Sequence, residues 1–122
     1  MCLYKTHRFP KRAKKDIEVY KIIHFEPYNN PKGEFITPFK RATYSFGEVI
    51  KAEDHWLWGI FNKTIDGEGV HAYQTSNAAR KGIGHVFPTN VHVKRAIIPK
   101  GAFYWLGDEE DIAATKMIVL KE

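Results

Sequence analysis

One short segment combines residue types that could bind a small anionic ligand. Residues 69–73 read Gly-Val-His-Ala-Tyr, so a glycine-led turn carries a histidine onto a short strand that leads directly to a helix start. Backbone N–H groups at the start of a helix favour anions. The segment therefore predicts a phosphate or carboxylate site formed by side chains of this strand and the following helix, namely His71, Tyr73, Ser76 and Arg80.

A purely structural role explains the same histidine. A partly buried histidine beside a core commonly satisfies its ring nitrogens with backbone groups, and this alternative stays open for His71. Zinc ligands usually occur at close spacing such as i and i+4 on a helix, and the six histidines contain no such pair. We therefore predict no metal site. The histidines are His7, His24, His55, His71, His85 and His92.

Common catalytic and nucleotide-binding motifs are absent from the sequence. Neither glycine-rich phosphate loop occurs, and no Gly-x-Ser-x-Gly elbow presents a nucleophilic serine. We therefore predict no bound cofactor and leave enzymatic activity open.

The basic charge of the chain is concentrated at its N-terminus. Six of the 19 basic residues fall within the first 15 positions, where no acid occurs, which leaves 13 basic and 14 acidic side chains for the rest. Because these cations repel one another, we predict that residues 1–15 form a mobile basic arm, or one held only by Leu3, Tyr4 and Phe9, and that residues 16–122 form a single compact domain. The arm is a candidate contact for nucleic acid or an acidic protein. Its cations are Lys5, Arg8, Lys11, Arg12, Lys14 and Lys15.

The elements that position these residues are predicted to be short strands and one helix. The clearest strand covers residues 17–25, with apolar side chains on both faces. A brief helix follows Thr75 or Ser76 and stops at Gly82. One helix cannot supply the crossovers of a βαβ arrangement, so the predicted class is α+β, a mostly antiparallel sheet or open barrel of five to six short strands. Further predicted strands cover residues 43–52, 70–73, 91–98, 103–106 and 112–120, and residues 35–37 are a candidate for a short edge strand before Pro38.

The predicted core consists of apolar residues from the four strongest strands. Their side chains are large or β-branched and recur along strand-like segments. They are Val19, Ile22, Ile23, Val49, Val70, Val93, Ile97, Ile118 and Leu120.

Composition places the chain among globular proteins. It has 122 residues, of which 43% are hydrophobic and 27% charged, a balance that disordered chains do not show. Its one cysteine, Cys2, allows no intramolecular disulfide, which favours a reducing compartment and a cytoplasmic location. No stretch approaches the ~20 apolar residues of a membrane-spanning helix, so no membrane partner is predicted.

Several motifs follow one another in a recognisable order. They are Val19-Tyr20-Lys21, Thr37-Pro38-Phe39, residues 44–47, residues 69–73 followed by Ala78-Ala79, and Ile98-Pro99-Lys100-Gly101. This order resembles a group of small uncharacterised proteins from gut bacteria and their phages. The resemblance covers residues 17–122 and omits the basic arm. It implies the fold class and a setting in a phage or mobile element, and it carries no catalytic residue.

Two functional hypotheses follow from these observations. The first is a non-enzymatic binding or accessory module whose basic arm contacts nucleic acid or another acidic partner. The second is a small ADP-ribosyltransferase-like enzyme acting on a nucleotide-type substrate. The second depends on Tyr20-Lys21, His71 and a late carboxylate, Glu109 or Glu110.

Overall fold

The computed structural model describes residues 3–7, 9–25, 33–37, 43–52, 64–65, 69–83 and 91–121. These residues form twelve β-strands and one α-helix. The strands are β1 (Leu3–Tyr4), β2 (Lys11–Arg12), β3 (Ile17–His24), β4 (Glu34–Ile36), β5 (Thr43–Ser45), β6 (Val49–Lys51), β7 (Thr64–Ile65), β8 (Val70–Tyr73), β9 (Val91–Ile98), β10 (Phe103–Leu106), β11 (Asp111–Ala114) and β12 (Lys116–Val119); the helix is α1 (Ser76–Ile83).

Ten of these strands form one open sheet. Its order is β2-β10-β11-β8-β3-β9-β12-β6, while β4 pairs with both β3 and β5. The remaining strands, β1 and β7, pair with each other. The sheet is mostly antiparallel and the described residues contain one helix, which confirms the predicted α+β class.

The number of strands differs from the five to six predicted, because two apolar segments are each broken into two strands. Residues 43–52 turn at Gly47, whose φ of 85° suits glycine, and so form β5 and β6. Residues 111–119 bend at Thr115 and so form β11 and β12. The N-terminal segment adds two short strands where none was predicted, and β7 adds a third.

The centre of the sheet is the antiparallel pair β3 and β9. Their pairing is unbroken over eight residues, from Ile17 opposite Ile98 to His24 opposite Val91. Val19 and Ile23 face one side, and Ile22 faces the other, as the alternation in the sequence predicts. We call the side of Val19 the inner face and the side of Ile22 the outer face.

The two faces have different coverings. The inner face carries the main apolar cluster, to which seven strands and two connecting segments contribute. The outer face is covered in two places, by α1 over β3 and β8 and by Leu3 over Trp105 and Ala113. The main cluster consists of Ala13, Val19, Ile23, Phe35, Ile50, Val70, Ala72, Ala96, Ile98, Ala102, Ile112, Ala114, Met117 and Val119.

The core prediction is right for β3 and β8, but for three other strands it selects the residues of the wrong face. On β12 the buried residues are Met117 and Val119, whereas Ile118 is only partly buried. On β9 and β6 the buried residues also lie one position away from the predicted ones. Residues on both faces of these strands are apolar, so the alternation of side chains does not show which face is buried. The predicted core residues outside the buried set are Val49, Val93, Ile97, Ile118 and Leu120.

The N-terminal segment lies along β10, which differs from the mobile arm expected from its charge. Leu3 has no exposed surface. The Thr6 N–H donates to the Leu106 carbonyl at 3.0 Å, and the Ala13 N–H donates to the Ala102 carbonyl at 2.8 Å. Backbone hydrogen bonds therefore hold the segment in place, although repulsion between its charges opposes an ordered conformation. Arg8, like Cys2, His55 and His85, lies outside the described residues.

The shifted phase of β12 gives a direct test of the core. Met117→Ala should lower the free energy of unfolding by about 2–5 kcal/mol, because it leaves a cavity in a fully buried position. Ile118→Ala should cost less, under about 2 kcal/mol, since its side chain already contacts water. Urea denaturation of the two variants measures both values. A larger loss for Ile118→Ala would contradict the assignment of the inner face.

Candidate functional site

Three strands bring polar side chains into one row on the outer face. Tyr20 of β3 lies opposite Tyr73 of β8, and Tyr73 lies opposite Asp111 of β11. Directly opposed residues of an antiparallel pair project to the same side, with Cβ atoms about 4.5–5.5 Å apart. Two phenols and one carboxyl group are thus neighbours. We call Tyr20, Tyr73 and Asp111 the outer-face polar row.

Tyr73 is the buried centre of this row, with 8% of its surface exposed. Its hydroxyl lies against Gly82, where an added Cβ atom would clash with the phenol. Gly82 is therefore needed inside α1, and the predicted helix stop at this residue is wrong, because α1 continues to Ile83. The predicted cap is confirmed at Thr75, whose hydroxyl accepts from the Ala78 N–H at 3.1 Å.

Electrostatics keep the Tyr73 phenol protonated. Burial is the main cause of its raised pKa, and the negative charges of Asp111 and Glu109 raise that pKa further. Tyr73 can therefore donate a hydrogen bond at neutral pH. The Gln74 N–H donates to the Glu110 carbonyl at 2.6 Å, so the acidic turn after β10 lies near the row.

Asp111 is the most deeply buried acid among the described residues, at 2% exposure. Burial is the main cause of the raised pKa of its carboxyl group, and the charges of Glu109 and Asp108 add to this increase. Backbone hydrogen bonds to the carboxylate lower the pKa and offset part of the increase. The Glu109 N–H donates to Asp111 Oδ1 at 3.4 Å. Gly107 leaves the space that this carboxylate occupies, since a Cβ atom there would overlap it.

His71 shares the outer face with Tyr73 by strand alternation, since Val70 and Ala72 of β8 belong to the inner cluster. Its carbonyl oxygen accepts from Lys21 Nζ at 2.6 Å. Lys21 lies on β3 between Val19 and Ile23 and therefore starts from the inner face. The structure thus separates Lys21 from Tyr20, the pair that the enzymatic hypothesis groups together.

The other two residues of the predicted anion site lie on α1. Ser76 is the first helical residue and is half-buried. Arg80 is exposed, because Ala78, Ala79 and Gly82 form the buried side of the helix. The structure therefore groups His71 with Tyr73 on β8 and places Arg80 toward solvent.

The polar row offers hydrogen-bond donors and acceptors and a carboxyl group of raised pKa, which are the groups used in general acid–base chemistry. In the part of the chain that the structure describes, no three His, Cys, Asp or Glu side chains gather as metal ligands do. The side chains of the row are themselves suited to binding a polar organic group and to moving a proton.

A second cluster of functional residues lies at the edge of the sheet. β2 pairs with β10, and the Gly101 N–H donates to the Ala13 carbonyl at 2.8 Å, which holds the turn after β9 beside the N-terminal segment. In this turn the Ala102 N–H donates to the Pro99 carbonyl, and Gly101 has a φ of 92°. This is the geometry of a type II turn whose first residue is Pro99 and whose third is Gly101.

The exposed cations on these segments form one group, which we call the basic rim. Four of its members come from the predicted basic arm and the fifth from the turn after β9. Lys5 is placed apart from them, with its ammonium 5.5 Å from the centre of the Trp105 ring. The basic rim consists of Lys11, Arg12, Lys14, Lys15 and Lys100.

Sequence reasoning missed Asp111 as a partner of Tyr73, because four consecutive acids are typical of a solvated turn. A signal was available in the apolar residues that follow Asp111, which mark it as the first residue of a buried strand. It also missed Lys100 as a neighbour of Lys14 and Lys15, since only the fold brings these segments together.

Comparisons with known proteins add no assignment to this geometry. No protein family, no curated protein and no solved structure matches the chain. The described residues include no helix of the length and apolar character that a bilayer crossing requires.

The buried carboxyl group predicts a pH-dependent stability. Burial raises the pKa of Asp111 above its ordinary 3.8, so the folded protein binds this proton at higher pH than the unfolded chain does. Ionisation of Asp111 therefore destabilises the fold. The effect is absent below about pH 4, grows as the pH rises through the folded pKa, and is complete above it.

Asp111→Asn should accordingly flatten the decline in unfolding free energy that begins above about pH 4, the ordinary pKa of an aspartate. The variant keeps an acceptor oxygen for the Glu109 N–H. Urea denaturation across a pH series measures the change, with Asp16→Asn as the control because exposed Asp16 also accepts a backbone N–H, that of Lys100. Parallel curves for Asp111→Asn and the unaltered protein would contradict the prediction.

Proposed function

We propose that this protein is a non-enzymatic binding module that contacts nucleic acid or another acidic partner through the basic rim. The motifs that resemble proteins of gut bacteria and phages support an accessory role in a phage or mobile element. One observation carries the proposal: the cations of residues 11–15 are exposed on a segment that is fixed by backbone pairing to β10 and to the turn at Gly101.

Fixed cations bind polyanions better than the same cations on a mobile tail. A mobile tail loses conformational entropy on binding, at a cost of roughly 1–2 kcal/mol for each backbone residue that becomes ordered. Here the pairing of Arg12 with Phe103 and of Lys11 with Tyr104 already orders that backbone. The electrostatic attraction to phosphates is therefore not offset by ordering of the segment.

Acidic residues near the rim do not cancel its charge. Asp16 follows Lys15 directly, but its Oδ1 accepts from the Lys100 N–H at 2.9 Å and so helps to hold the Lys100 turn beside the rim. Glu18 forms its ion pair with Arg95 at 3.5 Å. The charge of Glu18 is thus compensated by Arg95, and the single charge of Asp16 leaves the five cations of the rim in excess.

The proposal predicts salt-dependent binding that two exposed lysines strengthen. Lys14→Gln/Lys15→Gln should weaken binding of a labelled oligonucleotide about tenfold at low salt. It should also reduce the slope of log affinity against log salt by about 1.4, because each single-strand phosphate contact contributes about 0.7. Fluorescence anisotropy at several salt concentrations measures both quantities.

Arg80→Gln/Lys81→Gln is the matched control. These two exposed cations on α1 are also adjacent in sequence, so the control removes the same net charge from another part of the surface. It should change affinity less than threefold or so, since only long-range attraction is lost. Equal losses in the two variants, or no binding of the unaltered protein at low salt, would refute the proposal.

We propose as a second candidate a small ADP-ribosyltransferase-like enzyme acting on a nucleotide-type substrate. The observation in its favour is that the Glu109 N–H donates to Asp111, which lies opposite Tyr73, so a late carboxylate lies near the tyrosines of the outer-face polar row. The position of Lys21 argues against a shared site for Tyr20 and Lys21, because the Lys21 ammonium group donates to the His71 carbonyl.

The second candidate predicts that NAD raises the thermal unfolding midpoint, since a ligand that binds only the folded state stabilises it. Tyr73→Phe should reduce this shift by removing a hydrogen-bond donor while retaining the ring. Differential scanning fluorimetry with NAD, and with AMP as a comparison, measures the effect. No shift with either nucleotide would remove this candidate and leave the binding module unaffected.

A further inference from the structure

Phe103 stands out on the outer face because the next aromatic on the same side of β10 is covered and Phe103 is not. Trp105 projects to the same side of β10 and is fully buried beneath Leu3. Phe103, two residues earlier, has 38% of its surface exposed. An exposed aromatic ring on a well-paired strand presents a rigid surface on which a planar group can stack.

A cation lies directly beside this ring. Arg12 of β2 is opposite Phe103 and therefore projects to the same side of the sheet. Arg12 is exposed at the edge strand. Its guanidinium can contact a phosphate while the neighbouring ring contacts the base attached to that phosphate.

Two more cations lie on the other side of Phe103, and Thr115 places them there. The Phe103 N–H donates to Thr115 Oγ1 at 3.0 Å, and the Thr115 N–H donates to the Phe103 carbonyl at 2.9 Å. Lys116 follows Thr115 directly and is exposed. Lys51 lies opposite Lys116 in the pairing of β6 with β12 and is also exposed.

The pair of Lys51 and Lys116 indicates an anionic partner. Like charges directly opposite each other on neighbouring strands destabilise a sheet. A phosphate between the two ammonium groups would convert this repulsion into attraction. One strip of the outer face therefore has an aromatic ring with cations on both sides. In order across the strands, it consists of Arg12, Phe103, Lys116 and Lys51.

We infer that this strip binds single-stranded nucleic acid, with Phe103 stacking on one base and the cations contacting the flanking phosphates. The inference rests on the proposed function and adds the class of partner. Bases in a duplex are already stacked and are not available to Phe103, whereas those of a single strand are. The strip therefore distinguishes single strands from duplexes, which charge alone would not do.

Anisotropy with a labelled oligothymidylate of about 15 nucleotides, and with a duplex of equal length, tests the inference. The unaltered protein should bind the single strand at least about tenfold more tightly than the duplex. Phe103→Ala should remove most of that preference, and Lys51→Gln/Lys116→Gln should weaken binding to the single strand and reduce its salt slope by about 1.4. Tyr4→Ala, which alters another exposed aromatic, should leave the preference unchanged.

Two further variants separate the loss of the aromatic ring from a loss of folding. Phe103→Leu retains an apolar side chain on β10 and should fold if Phe103→Ala does not, yet it should still lose the single-strand preference. Phe103→Tyr should retain it. A preference unchanged in both Phe103→Ala and Phe103→Leu, equal affinity for the duplex, or equal affinity for poly-glutamate would overturn the inference while leaving the basic rim as a polyanion site. Failure of every probe to bind at low salt would instead overturn the proposed function.

Discussion

The structure depends on the unbroken pairing of β3 with β9. This pair is buried on both sides, by the inner apolar cluster through Val19 and Ile23 and by α1 through Ile22. A register shift of one residue would turn Lys21 toward the helix and expose its apolar neighbours. The double burial therefore fixes the register and, with it, the face on which every paired strand presents its side chains. The outer-face polar row follows from this constraint, because Tyr20 sets the position of Tyr73 and Tyr73 that of Asp111.

Thr115 extends the same sheet to the basic surface. β11 pairs with β8 and β10, whereas β12, one residue later, pairs with β9 and β6. One bent segment thus has neighbours from both sides of the central pair. The Thr115 N–H and hydroxyl bond Phe103, while its carbonyl accepts from the Ala52 N–H at 2.9 Å. A single residue therefore brings the exposed ring of β10 and the lysines of β6 and β12 into one neighbourhood.

Local chemistry made part of this fold predictable from the sequence. The strand at 17–24, the strand at 70–73 and the cap at Thr75 follow from alternation and hydrogen-bonding geometry, which act between residues close in sequence. The phase of β12 did not follow, because Met117, Ile118 and Val119 are all apolar and only the β9 partner decides which of them is buried. The candidate sites were predicted least well. Tyr73 and Asp111 are 38 positions apart, and Arg12 and Lys116 are farther apart still.

Charge was the clearest signal in the sequence and also the one most open to misinterpretation. Six cations without an acid predict a mobile arm when the segment is considered alone. In the folded protein, backbone pairing with β10 stabilises the ordered segment. Leu3 also packs on Trp105, and its full burial contributes about 1.5–3 kcal/mol. His7 adds a further tie, since its Nδ1–H donates to the Phe9 carbonyl at 2.6 Å and its Nε2 accepts from the Leu106 N–H at 3.0 Å. Self-repulsion within the segment is thus offset by contacts distant in sequence, while the cations of the basic rim stay exposed on the ordered backbone.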